Sequence, residues 1–105
     1  MVEHLTSEKF EEEVLNSKIP VVIDFYADWC MPCRMMAPVF ENLSLKLKGK
    51  MKFLKLNTEE EGELAMQFGV QSIPMLAIIK DGKVVGKSVG YMDEDSLKDK
   101  LEQFL

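Results

Sequence analysis

The chain alternates between two spacings of apolar residues, and each change of spacing predicts a change between strand and helix. Residues 21–27, VVIDFYA, form a nearly continuous apolar run rich in β-branched and aromatic side chains. Such a run is typical of a strand covered on both faces and predicts a central strand. From about residue 32 to 48 the apolar residues instead fall at helical spacing, and Gly49 follows them. This pattern predicts a helix directly after the strand.

Capping residues indicate two more helices. Thr6 or Ser7 can cap a first helix ahead of the central strand. Residues 51–57, MKFLKLN, predict a second strand, and Thr58 with Glu61 three residues later has the form of a capping box. A further helix is therefore predicted after the second strand.

The last third of the chain predicts a hairpin and a final helix. Residues 75–80 and 83–90 flank Asp81 and Gly82, which form a typical two-residue hairpin loop, and Asp93 can cap the helix that follows. The order is helix, strand, helix, strand, helix, hairpin, helix. It predicts an α/β fold, a three-layer sandwich in which a mixed, mostly parallel central sheet carries helices on both faces.

Length and composition indicate one domain and exclude some partners. The chain has 105 residues, of which 47% are hydrophobic and 30% charged, so we expect a single domain over residues 1–105. A formal net charge of -5 argues against nucleic acid, which needs clustered Lys and Arg. The sequence has no basic-then-apolar leader and no run approaching about eighteen apolar residues. We therefore expect a cytoplasmic monomer that makes no membrane contact.

The only two cysteines, Cys30 and Cys33, fall between the predicted central strand and the helix after it. A disulfide between them closes too short a loop to stabilise the fold much. At a helix N-terminus, however, free backbone N–H groups and the macrodipole favour a thiolate. We expect Cys30 to be the more accessible nucleophile and Cys33, one turn into the helix, to be the resolving thiol. The pair predicts two-electron thiol–disulfide exchange, with Pro32 stiffening the loop between the sulfurs.

Asp24 lies inside the apolar strand, where burial should raise its pKa. Such an acid can exchange protons near neutral pH, and it can take the proton from Cys33 directly or through a water. The alternative is a structural aspartate paired with Lys55. The two interpretations are compatible.

The segment DFYADWCMPC resembles the active-site segment of the thioredoxin family, and the similarity extends over nearly the whole chain. The resemblance implies that Cys30 attacks, that Cys33 resolves, and that Asp24 and Lys55 form the buried acid and its lysine. It also implies that GVQSIPML contains a cis peptide bond. The residues expected to contact the substrate are Trp29, Met31, Pro32, Ile73, Pro74, Met75 and Gly90.

The same resemblance implies the partners. They are disulfide-containing target proteins and an electron donor of the thioredoxin reductase type, because nothing in the sequence binds a flavin or nicotinamide. We expect no cofactor beyond the redox-active Cys30–Cys33 disulfide, and no metal. The expected activity is protein-disulfide reduction, and a thiol oxidant or isomerase is the alternative.

Two positions depart from the family pattern. Met31 stands where the family usually has glycine, and Met75 where a threonine commonly follows the cis proline. Together with Met35, Met36 and Met92 they suggest a methionine-lined rim that adapts to varied apolar partners. The alternative is that Met35 and Met36 are ordinary packing residues of the helix and that the other methionines are incidental.

Two further functions stay open from the residues alone. A C-x-x-C pair can ligate zinc or an iron–sulfur cluster, but this chain offers two thiols and a distant His4, so a dimer would have to share the site. The second open function is that of a non-catalytic interaction module.

The acidic runs at 11–13 and 59–61 are typical of solvated helix faces.

Overall fold

A five-stranded mixed sheet forms the centre of the computed structural model, which describes residues 2–105. The strands are β1 (Glu3–His4), β2 (Val21–Tyr26), β3 (Lys52–Asn57), β4 (Met75–Lys80) and β5 (Lys83–Val89). Their order is β1-β3-β2-β4-β5. β2 pairs in parallel with β3 and antiparallel with β4, while β1 is parallel to β3 and β5 antiparallel to β4. The predicted mixed sheet with β2 at its centre is confirmed.

Helices cover both faces of this sheet, as predicted. The helices are α1 (Met31–Lys46), α2 (Gly62–Gln67) and α3 (Glu94–Glu102). One core cluster joins Val22 of β2 to Phe40 of α1 and Leu97 of α3. The other joins Phe25 of β2 to Phe68, directly after α2. α1 and α3 therefore lie on one face of the sheet, and α2 lies on the opposite face.

Alternation along β2 decides the direction of Asp24. Successive side chains of a strand point to opposite faces. Val22 belongs to the core under α1, whereas Ile23 and Phe25 belong to the core under α2. Asp24 consequently points toward the α1 face, at the level where α1 begins.

The single N-terminal helix predicted from Thr6 or Ser7 is wrong in form. The chain makes a 3₁₀ turn at Ser7–Lys9 and a π-helical segment at Glu11–Leu15, and Thr6 makes no capping hydrogen bond. The two-residue strand β1, which precedes this segment, was not predicted because it is too short to show an alternating pattern.

The capping box at Thr58 and Glu61 is also wrong. The Thr58 hydroxyl donates to the carbonyl oxygen of Tyr26 at 3.1 Å. The Glu61 carboxylate accepts from the backbone N–H and the hydroxyl of Ser7, at 3.2 and 2.6 Å. Both side chains therefore bind residues far away in sequence, and α2 starts only at Gly62.

The C-terminal predictions are confirmed. Asp81 and Gly82 have φ values of 53° and 77°, as a tight two-residue hairpin loop requires. Asp93 caps α3 by accepting from the Ser96 N–H at 2.8 Å.

Among residues 2–105, no helix has the length and apolar character needed to span a membrane.

Candidate active site

The cysteine pair occupies the first turn of α1. Cys30 is the N-cap residue of the helix, and the Cys33 backbone N–H donates to the Cys30 sulfur at 3.3 Å. Pro32 lies in the first turn, where its missing N–H removes no helical hydrogen bond. The two cysteines form a disulfide, with their Cα atoms 5.2 Å apart. Any thiolate formed at Cys30 is thus stabilised by a helix N-terminus.

The accessibility of the two cysteines differs less than the sequence suggests. Cys30 is 5% exposed and Cys33 is 3% exposed. Cys30 lies between two strongly exposed neighbours, Trp29 at 69% and Met31 at 62%. The sulfur of Cys30 is therefore bordered by surface side chains.

Asp24 lies behind the cysteine turn, and its carboxyl oxygen Oδ1 is buried without a hydrogen-bond partner. Burial raises the pKa of Asp24 to about 7, and the positive charge of Lys55 acts in the opposite direction. Lys55 is the register partner of Asp24 on β3. No ion pair within 4.0 Å joins the two among the described residues, so the proposed structural pairing is not formed. The carboxyl group is left able to exchange a proton near neutral pH.

A cavity of about 360 Å³ connects this acid with the buried cysteine. Asp24 and Cys33 both line it, together with Lys55 and the apolar side chains of Ala37 and Phe40. The two groups expected to exchange a proton therefore face one common space. The cavity can hold the water that such a transfer would use.

A second chain segment borders the cysteines from the side of β4. The Ile73–Pro74 peptide bond is cis, as the family resemblance implies. The Ile73 carbonyl oxygen lies 3.9 Å from the Cys30 sulfur. Gly90 donates its N–H to the Pro74 carbonyl at 2.8 Å, has a φ of 96°, and has open space where a Cβ would stand. This segment leaves an open path beside the Cys30 sulfur.

Trp29 and residues from α2 form an apolar groove on the other side of Ile73. The groove has a volume of about 350 Å³ and is lined by Trp29, Met66, Val70 and Ile73 among others. The indole N–H of Trp29 donates to the Glu59 carboxylate at 3.0 Å. Met66 and Glu59 were not predicted to lie at this site, because a lone methionine and an acidic run carry no local signal for one.

The methionine-lined rim is only partly correct. Met31 and Met35 are 62% and 53% exposed and do lie at the surface. Met36 is fully buried and Met92 packs against the α1 core, so both are packing residues. The Met75 side chain is 3% exposed and packs in the core under α2, so it lies in the core and not on the rim.

Met75→Thr is expected to lower the free energy of unfolding by about 2–4 kcal/mol, because it removes buried apolar volume and buries a hydroxyl. It should leave selectivity among disulfide peptides unchanged. Met31→Gly is the matched variant, and it should change selectivity for apolar peptides at little cost in stability. Urea unfolding and kcat/KM for peptide pairs measure both effects. Altered selectivity with unaltered stability in Met75→Thr would contradict this assignment.

The single histidine lies away from this arrangement, on β1. His4 Nδ1 is 3.3 Å from the Tyr26 hydroxyl. In the described part of the chain, no three His, Cys, Asp or Glu side chains converge as a metal ion would need. Within one copy of the chain, the described residues therefore offer no complete set of metal ligands.

Comparison with known proteins adds an independent finding. A model of the thioredoxin family matches residues 1–103. The thioredoxin of Synechocystis sp. is 47% identical over 96 residues, covering 91% of this chain and 90% of that protein. Thioredoxin 1 of Nostoc sp. is 44% identical over 101 residues, covering 96% and 94%. The thioredoxin of Haemophilus influenzae is 41% identical over 102 residues, covering 97% and 95%.

Proposed function

The chain belongs to the thioredoxin family and is a protein-disulfide reductase of the thioredoxin type, and we propose that Cys30 attacks the target disulfide while Cys33 resolves the intermediate. The observation that carries this assignment of roles is the location of Cys30 at the N-cap of α1, beside the open path at Ile73. Cys33 faces the cavity that holds Asp24 instead. The Cys30 sulfur therefore lies beside Ile73, and Cys33 lies beside the cavity that contains the Asp24 carboxyl group.

In the first step, the Cys30 thiolate attacks one sulfur of the target disulfide. A mixed disulfide forms, and the other target sulfur leaves as a thiolate that takes a proton from solvent. The Cys33 backbone N–H and the helix N-terminus stabilise the attacking thiolate before it reacts. Pro32 keeps the first turn in the conformation that aims this N–H at Cys30.

In the second step, Cys33 attacks the Cys30 sulfur of the mixed disulfide. The Cys33 thiol first gives its proton to the ionised carboxylate of Asp24, across the cavity that both line. The Cys30–Cys33 bond forms as the bond between Cys30 and the target sulfur breaks, and the target sulfur leaves as a thiolate that takes a proton from solvent. Asp24 then returns its proton to solvent. With a pKa of about 7, Asp24 is ionised in a useful fraction of molecules at neutral pH, and Lys55 favours that ionised form.

We propose that the target binds as an extended segment along Ile73 and Pro74. The free space at Gly90 allows the backbone of the target to approach the Cys30 sulfur closely. Apolar side chains next to the target cysteine would rest on the exposed surfaces of Trp29 and Met31. The groove between Trp29 and Met66 offers a further apolar contact.

The partners of this family are, in general terms, proteins with disulfides and a donor that returns electrons. We propose that the donor is a flavin-dependent reductase of the thioredoxin reductase type. We further propose that the chain works as a single-domain monomer in the cytoplasm, where the glutathione pool is reducing. The formal charge of -5 supports protein rather than nucleic-acid partners.

We expect the Cys30–Cys33 pair to equilibrate with dithiothreitol buffers at about -270 mV, a reduction potential typical of thioredoxin. Alkylation followed by mass measurement reports the thiols, and Trp29 fluorescence gives a second signal. Met31→Gly is the matched variant that isolates the departure from the family motif. A parent value of about -120 to -180 mV would contradict a reductant role and favour an oxidant or isomerase.

A further inference from the structure

The cavity beside Asp24 is larger than a proton path requires. Its volume of about 360 Å³ falls within the range of pockets that bind small molecules. A water occupies only about 30 Å³ of liquid. The mouth is open, because Asp28, Arg34 and Ala37 line the cavity and are exposed. A small organic molecule can therefore enter from solvent.

The inner end of the cavity contains an unsatisfied acceptor. Asp24 is 4% exposed, and its Oδ1 has no hydrogen-bond partner. Buried polar side-chain atoms in proteins nearly always have one. The side walls are apolar at Ala37 and Phe40. A ligand that matches this lining has an apolar body and N–H donors at one end.

The charges around the cavity favour a cation. Three carboxyl groups line it, from Asp24 on β2, Asp28 after β2 and Glu41 on α1, against two cations, Arg34 on α1 and Lys55 on β3. With Asp24 ionised, the lining carries one excess negative charge.

The other titratable groups that line the cavity do not change this balance. Cys33 is in the disulfide, and the pKa of Tyr26 is raised by burial and by nearby carboxylates, so its hydroxyl stays neutral. His4 contacts Tyr26 from outside the cavity. Glu41 also accepts from the Val2 N–H at 3.2 Å, which holds it at the rim.

We propose that this cavity binds small organic cations with a planar apolar body, of the aromatic amidine class, with the amidinium donating to Asp24 and the ring packed on Phe40. An occupant of this kind lies between Asp24 and Cys33. It therefore blocks proton transfer from Cys33 and inhibits the resolving step, a consequence that rests on the proposed function. Binding of the cation to the cavity does not rest on the proposed function.

Benzamidine is the probe, and the oxidised protein is titrated with it while backbone amide shifts are recorded. We expect saturable shifts near Asp24 and Phe40, with affinity rising from pH 5 to pH 8 as Asp24 ionises. Asp24→Asn should weaken binding by about tenfold or more, because a charge-assisted hydrogen bond is lost. Asp28→Asn, which removes a carboxylate at the mouth, is the matched control and should weaken binding by less than about threefold.

Three results would overturn the proposal. They are the absence of saturable shifts in the parent protein, equal affinity in Asp24→Asn, and equal affinity for the neutral isostere benzamide. Loss of most binding in Asp28→Asn alone would place the cation at the mouth and would also refute it. Because the measurement uses oxidised protein and no turnover, its failure leaves the reductase function untouched.

Discussion

Cys33→Ser is expected to leave the protein joined to its targets through a Cys30 disulfide that persists at least about a thousandfold longer than in the parent. In the parent, Cys33 is held in the same first turn of α1, and in the proposed mechanism it attacks as an intramolecular nucleophile. Groups positioned in this way have effective concentrations that no dissolved thiol reaches. Without Cys33, release depends on an external thiol.

Non-reducing electrophoresis and intact mass of the adduct with a disulfide-bonded protein measure the effect. Cys30→Ser is the matched variant, and it should form no stable adduct because the sulfur beside Ile73 is gone. If Cys30→Ser retained the target and Cys33→Ser released it at the parental rate, the two roles would be reversed.

Much of the fold follows from local sequence signals. β2 carries a short, nearly continuous apolar run and α1 carries apolar residues at helical spacing, and both were predicted to within a few residues. The hairpin loop at Asp81 and the cap at Asp93 were also predicted, because a turn and an N-cap depend on residues within a few positions.

The missed features depend on contacts between distant segments. Thr58 and Glu61 have a local capping pattern, yet they bind Tyr26 and Ser7, which are 32 and 54 residues away. Tertiary hydrogen bonds of this kind override a short-range motif. The N-terminal segment that contains Ser7 forms a 3₁₀ turn and a π-helical segment where a regular helix was predicted.

The candidate site shows the same difference between features set by local sequence and features set by the packing of the fold. The cysteine pair and Asp24 could be predicted because their chemistry is encoded by residue type and by position on a strand or a helix end. The burial of Met75 could not, because it depends on which side of the backbone faces the core. Only the family resemblance pointed to the cis bond before Pro74.

Asp24→Asn is expected to make the oxidised protein more stable than the parent above pH 7, and the advantage should shrink as the pH falls toward 4. The pKa of Asp24 is about 7 in the folded protein, against 3.8 as the ordinary value. Between these values the native state binds more protons than the unfolded state, so the parent's unfolding free energy decreases as the pH rises. The shift corresponds to about 4 kcal/mol at most.

Urea unfolding at several pH values between 4 and 9 tests this, with the difference between variant and parent as the quantity of interest. That difference should grow by about 3–4 kcal/mol across the range and level off above about pH 8. Asp28→Asn is the control, because it removes an exposed carboxylate that lines the same cavity and so separates the effect of burial from the loss of one negative charge. A flat difference for Asp24→Asn would mean that the folded protein solvates this carboxylate as well as water does. The same result would remove the physical reason for assigning the proton transfer from Cys33 to Asp24, because a carboxylate with an ordinary pKa is too weak a base for that thiol near neutral pH.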